Sequence, residues 1–180
     1  MKLKKGVTLI EVLVTISIIA IFIAIPFWGG NRWVAKNRLK NEAFQVRALL
    51  ENERTTAMSG SVRRAVIFNG RDVEIRIEDL NKPLPNLDST VAIYTDYFSQ
   101  KVNLGGLGSA TALGGGSIEQ DGIMFGVGSD NNTVVFTAFG LCETPGEIYL
   151  NDSRNLMCVG VNAFGQVRVF SWRGAWYEEK

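Results

Sequence analysis

Lys4-Lys5-Gly6-Val7-Thr8-Leu9-Ile10-Glu11-Val12-Leu13-Val14-Thr15-Ile16-Ser17-Ile18-Ile19-Ala20-Ile21-Phe22-Ile23-Ala24-Ile25-Pro26-Phe27-Trp28 is the stretch on which the reading of this 180-residue chain turns. Residues 7–28 are an almost continuous apolar run, which as a helix rises roughly 33 Å, enough to cross the hydrocarbon core of a bilayer. The basic residues in front, Lys2, Lys4 and Lys5, favour a cytoplasmic N-terminus, although Arg32, Lys36, Arg38 and Lys40 beyond the run weaken that asymmetry. A cleaved secretory signal would end in a small-x-small site. None follows the run: Ala20 and Ala24 are not spaced as such a pair, and Pro26-Phe27-Trp28 is a poor cleavage neighbourhood. A plain membrane anchor leaves Glu11 unexplained, because a carboxylate within an apolar span costs about 2.5–3.5 kcal/mol and calls for a partner.

A cut between Gly6 and Val7 supplies that partner. The freed α-amine of Val7 is a cation at the head of the apolar helix, and Glu11, four residues on, can meet the amine of a neighbouring subunit. Buried charges persist when paired and are costly when one partner is lost. Thr8, Glu11 and Thr15 fall on one helix face and form a narrow polar seam. The segment Lys4–Val12 resembles the class III signal of type IV pilins and type II secretion pseudopilins, with Val7 where phenylalanine is usual. That resemblance implies cleavage after Gly6 by a prepilin peptidase, N-methylation of Val7, and subunit assembly through Glu11 and Thr8. It divides the chain into a leader (1–6), a transmembrane and filament-core helix (7–28), an amphipathic continuation (29–60) and a periplasmic β-rich domain (61–180).

Pro26 and Gly29-Gly30 predict an interruption near the end of the first helical stretch. Beyond it, Leu39, Ala43, Val46, Leu50 and Ala57 recur at helical spacing, with Phe44 and Leu49 widening the stripe and Lys36, Lys40, Arg47, Glu51 and Arg54 on the opposite face. The remainder reads as strands and turns. Residues 61–68 and 73–77 flank Asn69-Gly70 as a hairpin, and 90–98 is a further β-like run. Residues 103–117, with six glycines, read as a mobile loop. Residues 123–127 and 133–139 read as a second hairpin; 147–150, 156–161 and 166–172 are closing strands. The expected fold is α+β and pilin-like, a long N-terminal helix laid on antiparallel sheet.

Phe139-Gly140, Gly146-Glu147-Ile148-Tyr149-Leu150 and Gly165-Gln166-Val167-Arg168-Val169 resemble the closing strands of the GspH/FimT group of minor pseudopilins and minor pilins. The resemblance implies a minor pseudopilin of a type II secretion system, anchored in the bacterial inner membrane and built into a periplasmic pseudopilus. The alternative within the group is a type IV pilus minor pilin, sometimes linked to DNA uptake through a Gly-Arg-x-Arg motif. Here Gly165-Gln166-Val167-Arg168 lacks the first arginine. Arg168 and Arg173, beside Phe164, Trp172 and Trp176, are the residues that would contact phosphate and stack bases, against the plainer reading of a half-buried edge strand. A membrane-tethered binding domain is the alternative from a different class.

Other chemistry has little footing. Net charge is +1, and loss of the three leader lysines makes it −2 (16 basic against 18 acidic residues), which disfavours binding to nucleic acid by bulk electrostatics. The chain has no histidine, no nucleophile elbow and no phosphate loop, so neither catalysis nor a cofactor is expected. Asp121, Asp130, Asn131 and Asn132 offer oxygens to calcium but read as turns, and no metal is expected. Cys142 and Cys158 admit two readings: a disulfide worth about 3 kcal/mol in an exported chain, or two small buried hydrophobes.

Overall fold

The structure, a computed structural model, describes residues 8–78, 87, 89–125 and 132–180, with the backbone alone over 22–32. The chain divides into two compact units, residues 1–37 and residues 38–180. Helix α1 (Leu9–Gly60) contributes to both.

In the first unit α1 begins at a threonine cap. Thr8 Oγ1 accepts a hydrogen bond from the Glu11 amide at 3.4 Å, meeting one of the donors that a helix start leaves open. The helical backbone continues past Pro26 and Gly29-Gly30, so the expected interruption is absent. Proline's fixed φ suits a helix and removes only one donor, a loss that the turns on either side can carry. Among the described residues no helix is long and apolar enough to cross a membrane; side chains are described to Ile21 and again from Trp33.

In the second unit the apolar stripe is the one the spacing predicts. Leu39, Ala43, Val46, Leu50 and Ala57 are fully buried, with Phe44 and Leu49 packed beside them. The helix stops in a Schellman turn: Val62 N–H donates to Ala57 O and Ser61 N–H to Met58 O, with Ser61 at φ 52°.

Among the described residues ten strands follow: β1 (Arg64–Asn69), β2 (Asp72–Ile77), β3 (Ser89–Tyr94), β4 (Asn103–Leu104), β5 (Ile123–Phe125), β6 (Thr133–Phe136), β7 (Gly146–Asn151), β8 (Leu156–Val161), β9 (Val167–Trp172) and β10 (Trp176–Glu179). They form two antiparallel sheets, one in the order β3-β2-β1-β6 and one in the order β10-β9-β8-β7-β4, with β5 also paired to β7. The helix stripe packs against the inner face of both. Val66, Phe68, Val134 and Phe136 come from the first sheet, and Ile148, Leu150, Val159 and Val169 from the second. This is the expected α+β arrangement of helix on antiparallel sheet.

Two further expectations need correction. Residues 123–127 and 133–139 do not form a hairpin: β5 pairs with β7 and β6 with β1, in different sheets. Gly146 admits the β5 backbone, since a Cβ there would lie 2.0 Å from Met124 O. The glycine-rich segment is not a loose loop either. It lies as a strap over the back of the six-stranded sheet, with Ala112 buried beside Tyr149, Leu156 and Cys158. Leu113 N–H donates to Tyr149 Oη at 2.7 Å, and Trp176 Nε1 donates to Thr111 O at 2.9 Å.

Of the two readings of the cysteines, the structure matches the second: Cys142 and Cys158 are free and buried. Side chains alternate along β8, so Met157, Val159 and Val161 join the helix-side core whereas Leu156 and Cys158 face the strap. Cys142 belongs to the helix-side core, and the sheet separates the two thiols.

Candidate assembly site

Residues 8–21 carry four polar side chains in an otherwise apolar helix, and three are satisfied locally. Thr8 caps the helix; Thr15 Oγ1 donates to Val12 O and Ser17 Oγ to Leu13 O, both at 2.8 Å. Back-bonding of this kind lets hydroxyls sit in apolar surroundings without another partner. The fourth, Glu11, is exposed, and among the described residues nothing donates to its carboxylate. The Thr8-x-x-Glu11 spacing is also a helix-start signature, which accounts for the helix beginning here. Around it Leu9 is 82% and Ile10 69% exposed, and Leu13, Ile16 and Ile19 are exposed on other faces of the turn. A helix apolar on every side needs cover from lipid or from other helices. Gly6 and Val7, the expected cleavage and methylation positions, lie outside the described residues.

In the second unit the two arginines singled out for phosphate are already engaged. Arg168 Nη1 lies 3.6 Å from Glu178, and Arg173 Nη2 donates to Glu179 at 2.8 Å. Trp172 and Trp176 are edge-to-face at 5.1 Å in the cluster under the strap, leaving Phe164 as the exposed aromatic. The calcium candidates separate: Asp121 Oδ1 accepts from Ile123 N–H as a turn, Asn132 donates to Asn69, and Asp130 and Asn131 lie outside the described residues. Among the described residues no three His, Cys, Asp or Glu are grouped to hold a metal.

Sequence reasoning missed a latch built on Arg54. Its Nε donates to Gly140 O at 2.8 Å and its Nη2 to Phe164 O at 3.3 Å, tying two loops to α1. The glycines at 140 and 165 were the available signal. It also missed two carboxylates that point inward from α1. Glu53, 3% exposed, pairs with Arg64 at 2.6 Å, and Glu42, 7% exposed, leaves Oε2 without a hydrogen-bond partner among the described residues.

Comparison with known proteins bears on the amino-terminal segment. No curated protein sequence matches the chain. Among solved structures it is similar to the Pseudomonas aeruginosa (strain PAO1) type IV minor pilin FimU. The identity is 12%, the match covers 75% of this chain and 90% of that chain, and the TM-score is 0.49. Residues 1–25 match the family described as the prokaryotic N-terminal methylation motif. The segment that holds Gly6, Val7, Thr8 and Glu11 therefore lies within a match to the prokaryotic N-terminal methylation motif.

Proposed function

We propose that the chain is a minor pilin-type subunit, and specifically a minor pseudopilin of a type II secretion system. A prepilin peptidase removes residues 1–6, Val7 is N-methylated, and residues 7–28 anchor the protein in the inner membrane with its sheet domain in the periplasm. Residues 7–28 then enter the core of a pseudopilus among other pilins or pseudopilins. The observation that carries this reading is Glu11: a carboxylate with no donor among the described residues, in a methylation-motif helix whose other described polar groups are satisfied locally. Opposite it in a helix bundle stands the α-amine of a neighbour's Val7. Their pairing offsets the desolvation of both charges, and loss of either leaves the other buried and uncompensated, at about 3–5 kcal/mol.

Arg168 and Arg173 each face a carboxylate, Glu178 and Glu179, which weakens the case for phosphate contact at these two side chains. The test is the mature N-terminus together with a Glu11→Ala variant. Mass spectrometry should find a chain starting at N-methylated Val7. The variant should be processed and inserted normally yet lose at least tenfold in co-isolation with neighbouring subunits. An intact Met1 in cells with a working peptidase, or undiminished co-isolation of Glu11→Ala, defeats the reading.

A further inference from the structure

Gly160 lies in β8, the middle strand of the six-stranded sheet, and the fold does not require a glycine there. Its φ is not in the left-handed region. A Cβ would make only ordinary contacts, 3.6 Å from Leu113 Cδ2, 3.7 Å from Phe170 Cε2 and 3.9 Å from Glu147 Cγ. Glycine inside a strand weakens it and often marks a point where a ligand comes close. Here the missing side chain lets three others converge: Leu113 of the strap, Phe170 of β9 and Glu147 of β7. Strand pairing sets Glu147 on one side of Gly160 and Arg168 on the other. An open groove of about 460 Å³ lies at this point, walled by Leu113, Pro145 and Phe170 and flanked by Glu147 and Arg168. That volume is in the range that holds small ligands.

Glu147 carries the charge that the groove leaves unmatched. Its Oε2 accepts from the Tyr149 hydroxyl and from Leu113 N–H, the latter at 3.3 Å, so both donors are neutral. Leu113 N–H also donates to Tyr149 Oη at 2.7 Å, which closes the three groups into one network. Among the described residues no donor reaches Glu147 Oε1, and no lysine or arginine pairs with the carboxylate. Burial foremost, and then the Glu147 charge, raises the pKa of the neighbouring Cys158 thiol. Across Gly160 the Arg168 charge is met elsewhere: Nη1 lies 3.6 Å from Glu178 and Nη2 donates to Gln166 Oε1 at 3.3 Å. A carboxylate held by two donors, beside an aromatic ring and apolar walls, suits a cation on an apolar stem. The head gains an ion pair and the face of the Phe170 ring, and the stem lies along Leu113 and Pro145. Because the carboxylate is already fixed, binding orders little that was free.

We propose that this groove binds an organic cation, a primary ammonium or guanidinium group on a short apolar stem, with Glu147 as its counter-ion. Free alkylamines and the basic side chains of a polypeptide share that chemistry, and neither depends on the filament reading. The experiment titrates the full, isotope-labelled chain in nonionic detergent with n-butylammonium, with its neutral analogue n-butanol, and with the blocked peptide acetyl-Gly-Lys-Gly-amide. In nuclear magnetic resonance spectra the amide signals of Leu113 and Gly160 should shift saturably with the ammonium and not with the alcohol. Glu147→Gln keeps an acceptor for the Tyr149 hydroxyl and should weaken ammonium binding at least fivefold at an unchanged unfolding midpoint. Phe170→Leu, which keeps the wall apolar and removes the ring, gives a second reading and should weaken it at least twofold. Peptide binding as tight as that of butylammonium assigns the groove to a basic side chain of a polypeptide, and weaker peptide binding assigns it to a free amine. Equal shifts with ammonium and alcohol, undiminished affinity in both variants, or no saturable shift with either cation overturns the proposal.

Discussion

Gly140 and Gly165 show how a residue type can be legible while its reason is not. The resemblance pointed to both positions, but only the structure shows that they face each other beside Arg54, which lies 86 residues before Gly140 in the chain. A substitution at Gly165 must bear the left-handed backbone and also displace Gly140 O or the Arg54 side chain. Gly165→Ala is expected to cost about 3 kcal/mol. Gly70, at φ 61° with open space around its missing Cβ, bears the backbone strain alone, and Gly70→Ala is expected to cost about 1 kcal/mol. Denaturant unfolding of the two variants checks the difference, and equal costs would refute the latch as a packed contact. Glu42 and Glu53 were illegible for the opposite reason. Charge on a helix reads as solvent-facing, and nothing in the spacing announces that Arg64, eleven residues beyond Glu53, turns back to meet it.

At the scale of elements, local patterns were read well and long-range pairings were not. The helix stripe, the hairpin of β1 with β2 and the three strands β7 to β9 follow from periodicity and turn residues close together in sequence. The partners of β5 and β6 depend on Gly146 and on contacts remote in the chain, which no local pattern encodes. β10 escaped notice because Trp176-Tyr177-Glu178-Glu179 is short and half charged. Its ties are nevertheless specific. Glu179 accepts from Lys40 of α1 at 2.7 Å, from Ser171 of β9 at 2.8 Å and from Arg173 at 2.8 Å. The Lys40 hydrogen bond foremost, then that of Ser171, holds the Glu179 carboxyl down to about 2 from the ordinary 4.5. A lowered carboxyl contributes stability that is fully present above its unfolded value and lost as pH falls through its folded one. Thermal unfolding should therefore show a decline in Tm between pH 4.5 and 2 that is shallower in Glu179→Gln than in the parent. Parallel curves would show that the clamp does not stabilise β10.

For the whole molecule, the division at residue 37 separates two kinds of stability. The second unit holds its apolar side chains against two sheets, whereas the described part of the first leaves Leu9, Ile10, Leu13 and Ile16 uncovered. That contrast was legible from composition, because an all-round apolar run cannot bury itself. The fate of the cysteines was not, since it depends on which face of β8 each thiol reaches. Burial raises the pKa of both Cys142 and Cys158, so neither is a ready thiolate at neutral pH. Alkylation of the folded protein should leave both unmodified and should modify both once denaturant is added. Mobility in electrophoresis should not change with reductant, and a reductant-dependent shift would restore the bridge. The strap carries one more implication. It is tied down by an indole, a phenol and short bridges rather than by a long ladder, so it is the cheapest cover to lift. Transient breathing there would widen the solvent contact of the half-buried Trp172 and Trp176 while the opposite side of the sheet stayed dry, which makes that indole pair an intrinsic gauge of partial opening, separate from global melting.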